Sequence, residues 1–329
     1  MQHPEKIRLL TANRDLTTAQ GLEIGPRDAP LVRKDTARVL YADYADAETI
    51  RANLHDPLID KAAVVEVDVV TGGGSLAAVM PHPVDYIVAS HVAEHVPDLI
   101  GWLQDLHKVL RPGGTLGLGI PDKRFTFDRF RPDSVIAEAV EAYLLHYERP
   151  SLRQIFDSAW QAIEMSVPQG WKGEIPASGQ RPVRLSRLKP ALDLIRGVQE
   201  SGRYNDAHCW VFTPASFLDL IEEIACLDLL PYVLQRFVPT EPGGYEFFAV
   251  FRRAEAGQFE AIRQSITAAR HVLAASQAEQ HFAQAHEPAA MRALRTENAA
   301  LRDALATMRT STSWRLTAPL RRLAGRRRG

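Results

Sequence analysis

VDYIVASHVAEHVPDLIGWLQDLHKVLRPGGTLGLGIPD, residues 84–122, contains a complete strand–helix–strand unit. Val84 to Ala89 is an apolar run that reads as a buried strand, and it turns polar at Ser90 and His91. From Asp98 onward the apolar residues shift to helical spacing, with Leu99, Trp102, Leu103, Leu106 and Leu110 on one face. RPGG, residues 111–114, breaks that helix, and Thr115 to Pro121 forms a second apolar strand. Two apolar strands joined through a crossover helix lie parallel in one sheet, because a hairpin needs no helix.

The flanking sequence extends the same pattern. Upstream, GLEIGPRDAPLVRKDTARVLYADY (residues 21–44) gives a strand, a turn and a second strand ending in Asp43, and AAVVEVDVV (residues 62–70) reads as a third strand. The turn holds one glycine and two prolines, and too few residues separate Ile24 from Val39 for a full helix. A short, proline-stiffened loop is expected there. Downstream, residues 212–227 read as a helix with Thr213 as N-cap and Pro214 at its first position. DLLPYVLQRFV and YEFFAVFRR then form a strand pair around EPGG. The expected fold is α/β: a Rossmann-like, doubly wound, mostly parallel sheet closed by an antiparallel terminal hairpin. Residues 125–206 are too long for a connection and are expected to form a helical cap insert over the acceptor side.

The body is expected to span residues 1–253. From Glu255 the composition turns to Ala, Gln, Glu and Arg, and residues 255–310 read as a helical or coiled-coil segment. Met291, Leu294, Asn298, Leu301, Leu305 and Met308 step 3-4-3-4-3, the seam spacing of a coiled coil, which offers a homodimer through 291–308. A single helix laid on the body is the alternative. Residues 311–329 form a basic amphipathic tail.

Hydrophobic residues make up 46% and charged residues 24%, ordinary values for a globular chain. The net charge of −1 divides into −8 over the first 303 residues and seven arginines beyond them. An acidic body argues against a nucleic-acid partner. Cys209 and Cys226 form no CxxC pair, no opening signal segment is read, and no apolar run is long enough to span a bilayer. A cytoplasmic location is expected.

In open α/β sheets, ligands bind beyond the C-terminal strand ends. The candidates are therefore Glu23 and Gly25, Asp43, Asp68, Ser90 with His91, and Asp122. Asp43, twenty residues beyond Glu23, is spaced to accept hydrogen bonds from a ribose, and Asp68 to face an adenine amino group. A pyrophosphate needs several bare N–H groups and a helix N-terminus, which the GPRDAP turn supplies poorly. A nicotinamide-dependent sugar oxidoreductase would also carry a Tyr-x-x-x-Lys pair, and the chain has none.

LEIGP, YADY, the 84–122 run and the later strand pair resemble the class I S-adenosylmethionine-dependent methyltransferases over roughly residues 21–253. EIGPRDAPL, IPDKRFTFDRFRP and HCWVFTP look like a bacterial branch associated with surface-polysaccharide synthesis. The resemblance implies S-adenosylmethionine as cofactor. Glu23 and Gly25 would approach its methionine end, Asp43 its ribose, Asp68 its adenine, and Ser90 and His91 its edge. Pro26, Tyr44 and Val69 would join that set as neighbours, and Arg27 would hold the methionine carboxylate. The tail resembles Ser-x-Ser-Trp-Arg-Leu-Thr-x-Pro-Leu-Arg endings of polysaccharide-pathway enzymes. It would meet either the inner face of the membrane or a glycosyltransferase.

Asp122, His208 and His95 are the catalytic candidates, with His95 alternatively capping the helix after it. Lys123 and Arg124 are candidates for holding an anionic acceptor, and Tyr143, Tyr147, Trp160 and Trp171 for stacking on sugar rings. No metal ligand set is assigned. The reading is a methyltransferase acting on a glycan or other small hydroxyl acceptor. Its alternative is a catalytically silent scaffold for polysaccharide enzymes.

Overall fold

The computed structural model describes residues 1, 3–54 and 60–286. In chain order the first half contains α1 (His3–Leu10), β1 (Gly21–Ile24), β2 (Val39–Asp43), α2 (Ala47–Asn53), β3 (Val69–Val70), α3 (Leu76–Val79), β4 (Val84–Ser90), α4 (Leu99–Val109) and β5 (Leu110–Pro121). Five helices follow: α5 (Ile136–Leu144), α6 (Leu152–Gln161), α7 (Val167–Trp171), α8 (Arg181–Ser186) and α9 (Leu188–Ser201). The chain then returns through α10 (Pro214–Cys226), β6 (Tyr232–Val238), β7 (Glu246–Arg253) and α11 (Phe259–His286).

The strands form one sheet in the order β3-β2-β1-β4-β5-β7-β6. The five strands from β3 to β5 run parallel; β7 runs antiparallel to β5, and β6 antiparallel to β7. Side chains alternate across the sheet, so each strand supplies two cores. Leu22, Ile87, Ala89, Leu116 and Leu118 face Leu99, Leu103 and Leu106 of α4. Tyr41, Tyr86, Val88, Phe248 and Val250 face Leu9 and Leu10 of α1 with Leu31 and Val32 of the β1–β2 loop. Burial on both faces explains why β4 reads as an unbroken apolar run. At Gly117 a Cβ would stand 2.1 Å from the Leu10 carbonyl oxygen, so only glycine lets α1 lie against the sheet.

The chain between β1 and β2 contains turns and no helix, as its length and prolines require. Thr213 caps α10 by accepting from Ser216 N, with Pro214 at the first turn. The third strand is shorter than its sequence suggests: Lys61–Ala63 form a 3₁₀ turn and only Val69–Val70 pair, with β2 alone. The acids at Glu66 and Asp68 suit an exposed edge better than a two-sided core strand.

The chain divides into two compact units, Met1–Ser276 and Gln277–Gly329. The first is longer than the 1–253 expected. Ile262, Ile266, Ala269 and Leu273 of α11 are buried in the main core, a helical stripe that continues the body past Arg253. The coiled-coil seam at 291–308 and the tail at 311–329 lie outside the described residues. Among the described residues no helix is long and apolar enough to cross a membrane.

Candidate active site

Strand order reverses between β1 and β4, and the chain leaves both strands there for loops. Gly25 takes φ +65°, and a Cβ on it would meet Val92 Cγ2 at 2.9 Å, so the loops after β1 and β4 touch. Pro26 beside it is buried. Glu23 does not face this opening. Its side chain turns back onto its own loop, where Oε1 accepts from Leu31 N and Oε2 from Val32 N, each at 2.8 Å. Glu23 therefore anchors the loop, a correction to its expected contact with the methionine end.

Burial pushes the Glu23 carboxyl up to about 7, against the two N–H donors that favour its ionised form. A carboxyl raised in this way binds its proton more tightly folded than unfolded. Its contribution to stability is full below the ordinary value of 4.5 and falls as pH rises towards about 7. Stability is expected to decline over that window in the native protein. Glu23→Gln has nothing to titrate and should lack that component; unfolding midpoints at about pH 5 and pH 8 check the difference.

Asp43 ends β2 at the same sheet edge, partly exposed. Its Oδ1 accepts from Tyr44 N at 2.7 Å, which leaves Oδ2 available to a ribose hydroxyl. Burial raises its pKa, opposed by the Tyr44 N–H and the charge of Arg27. Arg27 adopts φ 47° and pairs with Asp28 at 2.7 Å, and Tyr44 is exposed. The free Asp43 oxygen and the tight Gly25 turn fit an adenosyl cofactor. Asp68 does not join them. It precedes β3, and its side chain accepts from Tyr41 N at 2.7 Å and pairs with Lys34 at 2.6 Å, so it closes the start of the edge ladder. Val69, buried, begins the paired segment opposite Ala42.

Ser90 closes β4 and His91 follows at φ 57°, its N–H donating to Gly119 O at 2.9 Å. The His91 ring bridges two acids, with Nε2 3.0 Å from Glu246 Oε2 and Nδ1 3.5 Å from Glu94 Oε1. Burial works against its charge, yet the hydrogen bond to Glu246 and the nearby Glu94 carboxylate outweigh it and lift its pKa to about 9. His91 is thus a cation that joins β4 to β7.

Asp122 is fully buried and its carboxylate is saturated. It accepts from Arg124 Nε at 2.9 Å, Arg124 Nη2 at 2.6 Å, Arg124 N at 3.1 Å and Thr240 Oγ1 at 2.7 Å. These bonds correct its reading as a base: it caps the turn Lys123–Phe125. Lys123 and Arg124 are corrected with it. Lys123 Nζ donates to Arg131 O and pairs with Asp133 at 3.1 Å, and the Arg124 guanidinium is bound to Asp122. The aromatic candidates also serve the fold. Trp171 stacks on Phe125 at 4.2 Å and donates to Gly244 O; Tyr143 donates to Gln104. Tyr147 packs on the core, and Trp160 lies 6.0 Å from the Arg184 guanidinium.

His95 and His208, far apart in sequence, come together with ring centroids 4.6 Å apart and edge-to-face. Backbone lacing does this. Glu94 O accepts from Cys209 N at 2.5 Å and Trp210 N at 3.1 Å, and the Trp210 indole donates to Val96 O at 2.5 Å. The helix cap assigned alternatively to His95 belongs instead to Asp98, which accepts from Gly101 N at 2.8 Å. Each ring has a carboxylate on Nδ1: Asp206 at 3.1 Å from His95, and Asp128 at 2.5 Å from His208. Burial lowers the His95 pKa, but Asp206 more than compensates and the net direction is up. Asp128 moves down despite its burial, because His208 and then Arg131 stabilise its charge. Arg131, 3% exposed, holds Asp128 at 2.9 Å and Asp157 at 3.3 Å. Glu94, Asp128, Arg131 and Asp206 escape the sequence reading. Asp128 lies within IPDKRFTFDRFRP, but nothing local links it to a histidine eighty positions later.

Residues 5–224 match the family described as methyltransferase domain. No curated protein matches the chain. Among solved structures, the CcbJ methyltransferase from Streptomyces caelestis is similar at 10% identity, over 77% of this chain and 97% of that one, with a TM-score of 0.38. An S-adenosylmethionine-dependent methyltransferase from Mesorhizobium loti is similar at 14% identity, over 76% and 96%, with a TM-score of 0.36. The CurJ carbon methyltransferase is similar at 12% identity with a TM-score of 0.35; 74% of this chain is covered, and it spans half the length of that one. With the family match extending over more than half of its length, this chain belongs to the methyltransferase-domain family and uses S-adenosylmethionine as methyl donor.

Proposed function

We propose that the protein methylates a hydroxyl group of a sugar in a surface polysaccharide or its lipid-linked precursor. When bound, S-adenosylmethionine supplies a methyl group already activated on a sulfonium. The chain's own work is to align an acceptor oxygen behind that methyl and to ease the loss of its proton. The observation that carries a hydroxyl acceptor is the His95–His208 pair beside the cofactor edge, each ring held by a carboxylate on Nδ1. Such an arrangement leaves Nε2 of each ring for chemistry. Support for a glycan comes from the resemblance of EIGPRDAPL, IPDKRFTFDRFRP and HCWVFTP to polysaccharide-associated enzymes. Helices α5–α9, within residues 125–206, form the cap on the acceptor side in this reading.

Mass spectrometry of surface glycans from a deletion strain tests the acceptor: a methyl group lost from one sugar supports it, and an unchanged glycan removes it. The cofactor half is tested by calorimetry. Asp43→Ala is expected to weaken S-adenosylmethionine binding by about 1–3 kcal/mol, the cost of leaving buried ribose hydroxyls without their acceptor. Unchanged affinity would displace Asp43 from the ribose. No binding by the native protein at millimolar concentration would favour the silent scaffold.

The basic tail at 311–329 is proposed to hold the enzyme at the inner membrane face, where lipid-linked precursors are made. Full-length protein should float with anionic liposomes and a form ending at Met308 should not. Equal flotation would remove the membrane role and favour a glycosyltransferase contact. The 291–308 seam is proposed to pair two copies.

A further inference from the structure

We propose that Glu94, His95 and His208 form a binding site for one divalent transition-metal cation beside the cofactor edge, contrary to the sequence-based expectation of no metal. One ligand atom from each of the three lies within 4.8 Å of the others. Ligand atoms about 2.0–2.2 Å from a common ion stand roughly 3–4.4 Å apart, so the three side chains draw together slightly around it.

Three observations carry the site. First, Glu94 is 1% exposed and both of its carboxylate oxygens lack a hydrogen-bond partner. His91 Nδ1 stands 3.5 Å from Oε1, an ion pair that is not a close hydrogen bond, and its other nitrogen is bound by Glu246, so Oε2 has no partner at all. A buried carboxylate without a single hydrogen-bond donor is costly, and the one-sided pairing with His91 leaves Oε2 for a second cation. Second, both histidines carry a carboxylate on Nδ1, Asp206 for His95 and Asp128 for His208. That is how metal-bound imidazoles are oriented, because the outer hydrogen bond fixes the tautomer and presents Nε2 to the ion. Asp128 is held in turn by the buried Arg131. Third, the group combines a buried acid with two part-exposed rings, which leaves an open side.

Two imidazoles and one carboxylate suit zinc, cobalt or manganese better than magnesium, which prefers oxygen ligands. Three protein ligands also leave a coordination position free, the mark of a site that binds a reactant. Resting on the hydroxyl-acceptor reading, the cation would receive the acceptor oxygen and lower its pKa, with the proton passing to water at the open side.

The test uses the full chain after dialysis against a chelator. Cobalt(II) titration followed by visible absorption, and zinc titration followed by calorimetry, should each show one equivalent taken up. His95→Ala and His208→Ala should each weaken uptake by more than about 100-fold, and Asp128→Asn by about 10- to 100-fold. Near-UV circular dichroism confirms that the variants remain folded. No uptake by the native protein, or uptake unchanged in both histidine variants, overturns the site. Calorimetry with S-adenosylmethionine on the same samples separates the two readings. Metal uptake without cofactor binding keeps the site and removes methyl transfer; cofactor binding without metal uptake does the reverse.

Discussion

Arg131→Ala is expected to destabilise the folded protein by about 3–5 kcal/mol, the usual result of removing one partner of a buried ion pair. The guanidinium and the Asp128 carboxylate are 3% and 4% exposed, and Nη1 lies 2.9 Å from Oδ1. Arg131 Nε also approaches Asp157 at 3.3 Å, and its carbonyl accepts from Lys123. Truncation would leave Asp128 charged in a place that water cannot reach, with only His208 to answer it. The loss is thus larger than the value of the bridge itself, because an unpaired buried charge replaces a paired one. Urea unfolding measures it: the midpoint should fall with the slope unchanged, which identifies a change in stability and not in denatured-state compactness. A shift below about 1 kcal/mol would mean that Asp128 stays paired through His208 alone.

The parts of the fold that local patterns determine were legible in the sequence. Leu99, Leu103 and Leu106 had to share a face, and Thr213 followed by Pro214 had to open a helix. Side-chain direction at strand ends was not legible. Glu23 and Asp43 each end an apolar strand and look alike in sequence, yet one folds back onto Leu31 and Val32 and the other faces outward. Asp68 failed for another reason: the edge strand pairs only at Val69–Val70, so the acid falls before the strand and not after it. Asp122 was placed correctly in the chain but saturated by Arg124 and Thr240, whose side chains the sequence could not bring to it. The His95–His208 pair was readable as two candidates and not as a pair. Its joining depends on backbone bonds from Glu94 to Cys209 and Trp210, a contact between segments more than a hundred residues apart.

His208→Ala should lower kcat by about 10²- to 10⁴-fold, the range lost when loss of the acceptor proton is no longer assisted, by the ring nitrogen or by a cation that it holds. S-adenosylmethionine affinity should change by less than about twofold, since 1.4 kcal/mol would already be tenfold and no contact with the ribose side is removed. The reason is positional. In the proposed site Asp43 and Gly25 flank the cofactor half of the opening, whereas His208 stands with His95 on the segment laced to Glu94. A structural role for the ring must be separated from a chemical one, because Phe127 packs against it at 4.6 Å. His208→Phe supplies that control, for it retains an aromatic ring there and offers no nitrogen. If the ring only fills space, the phenylalanine variant should keep its rate while the alanine variant loses it. If the nitrogen acts on the acceptor, both variants should lose kcat to a similar degree. A native rate in His208→Phe would move acceptor activation away from this pair.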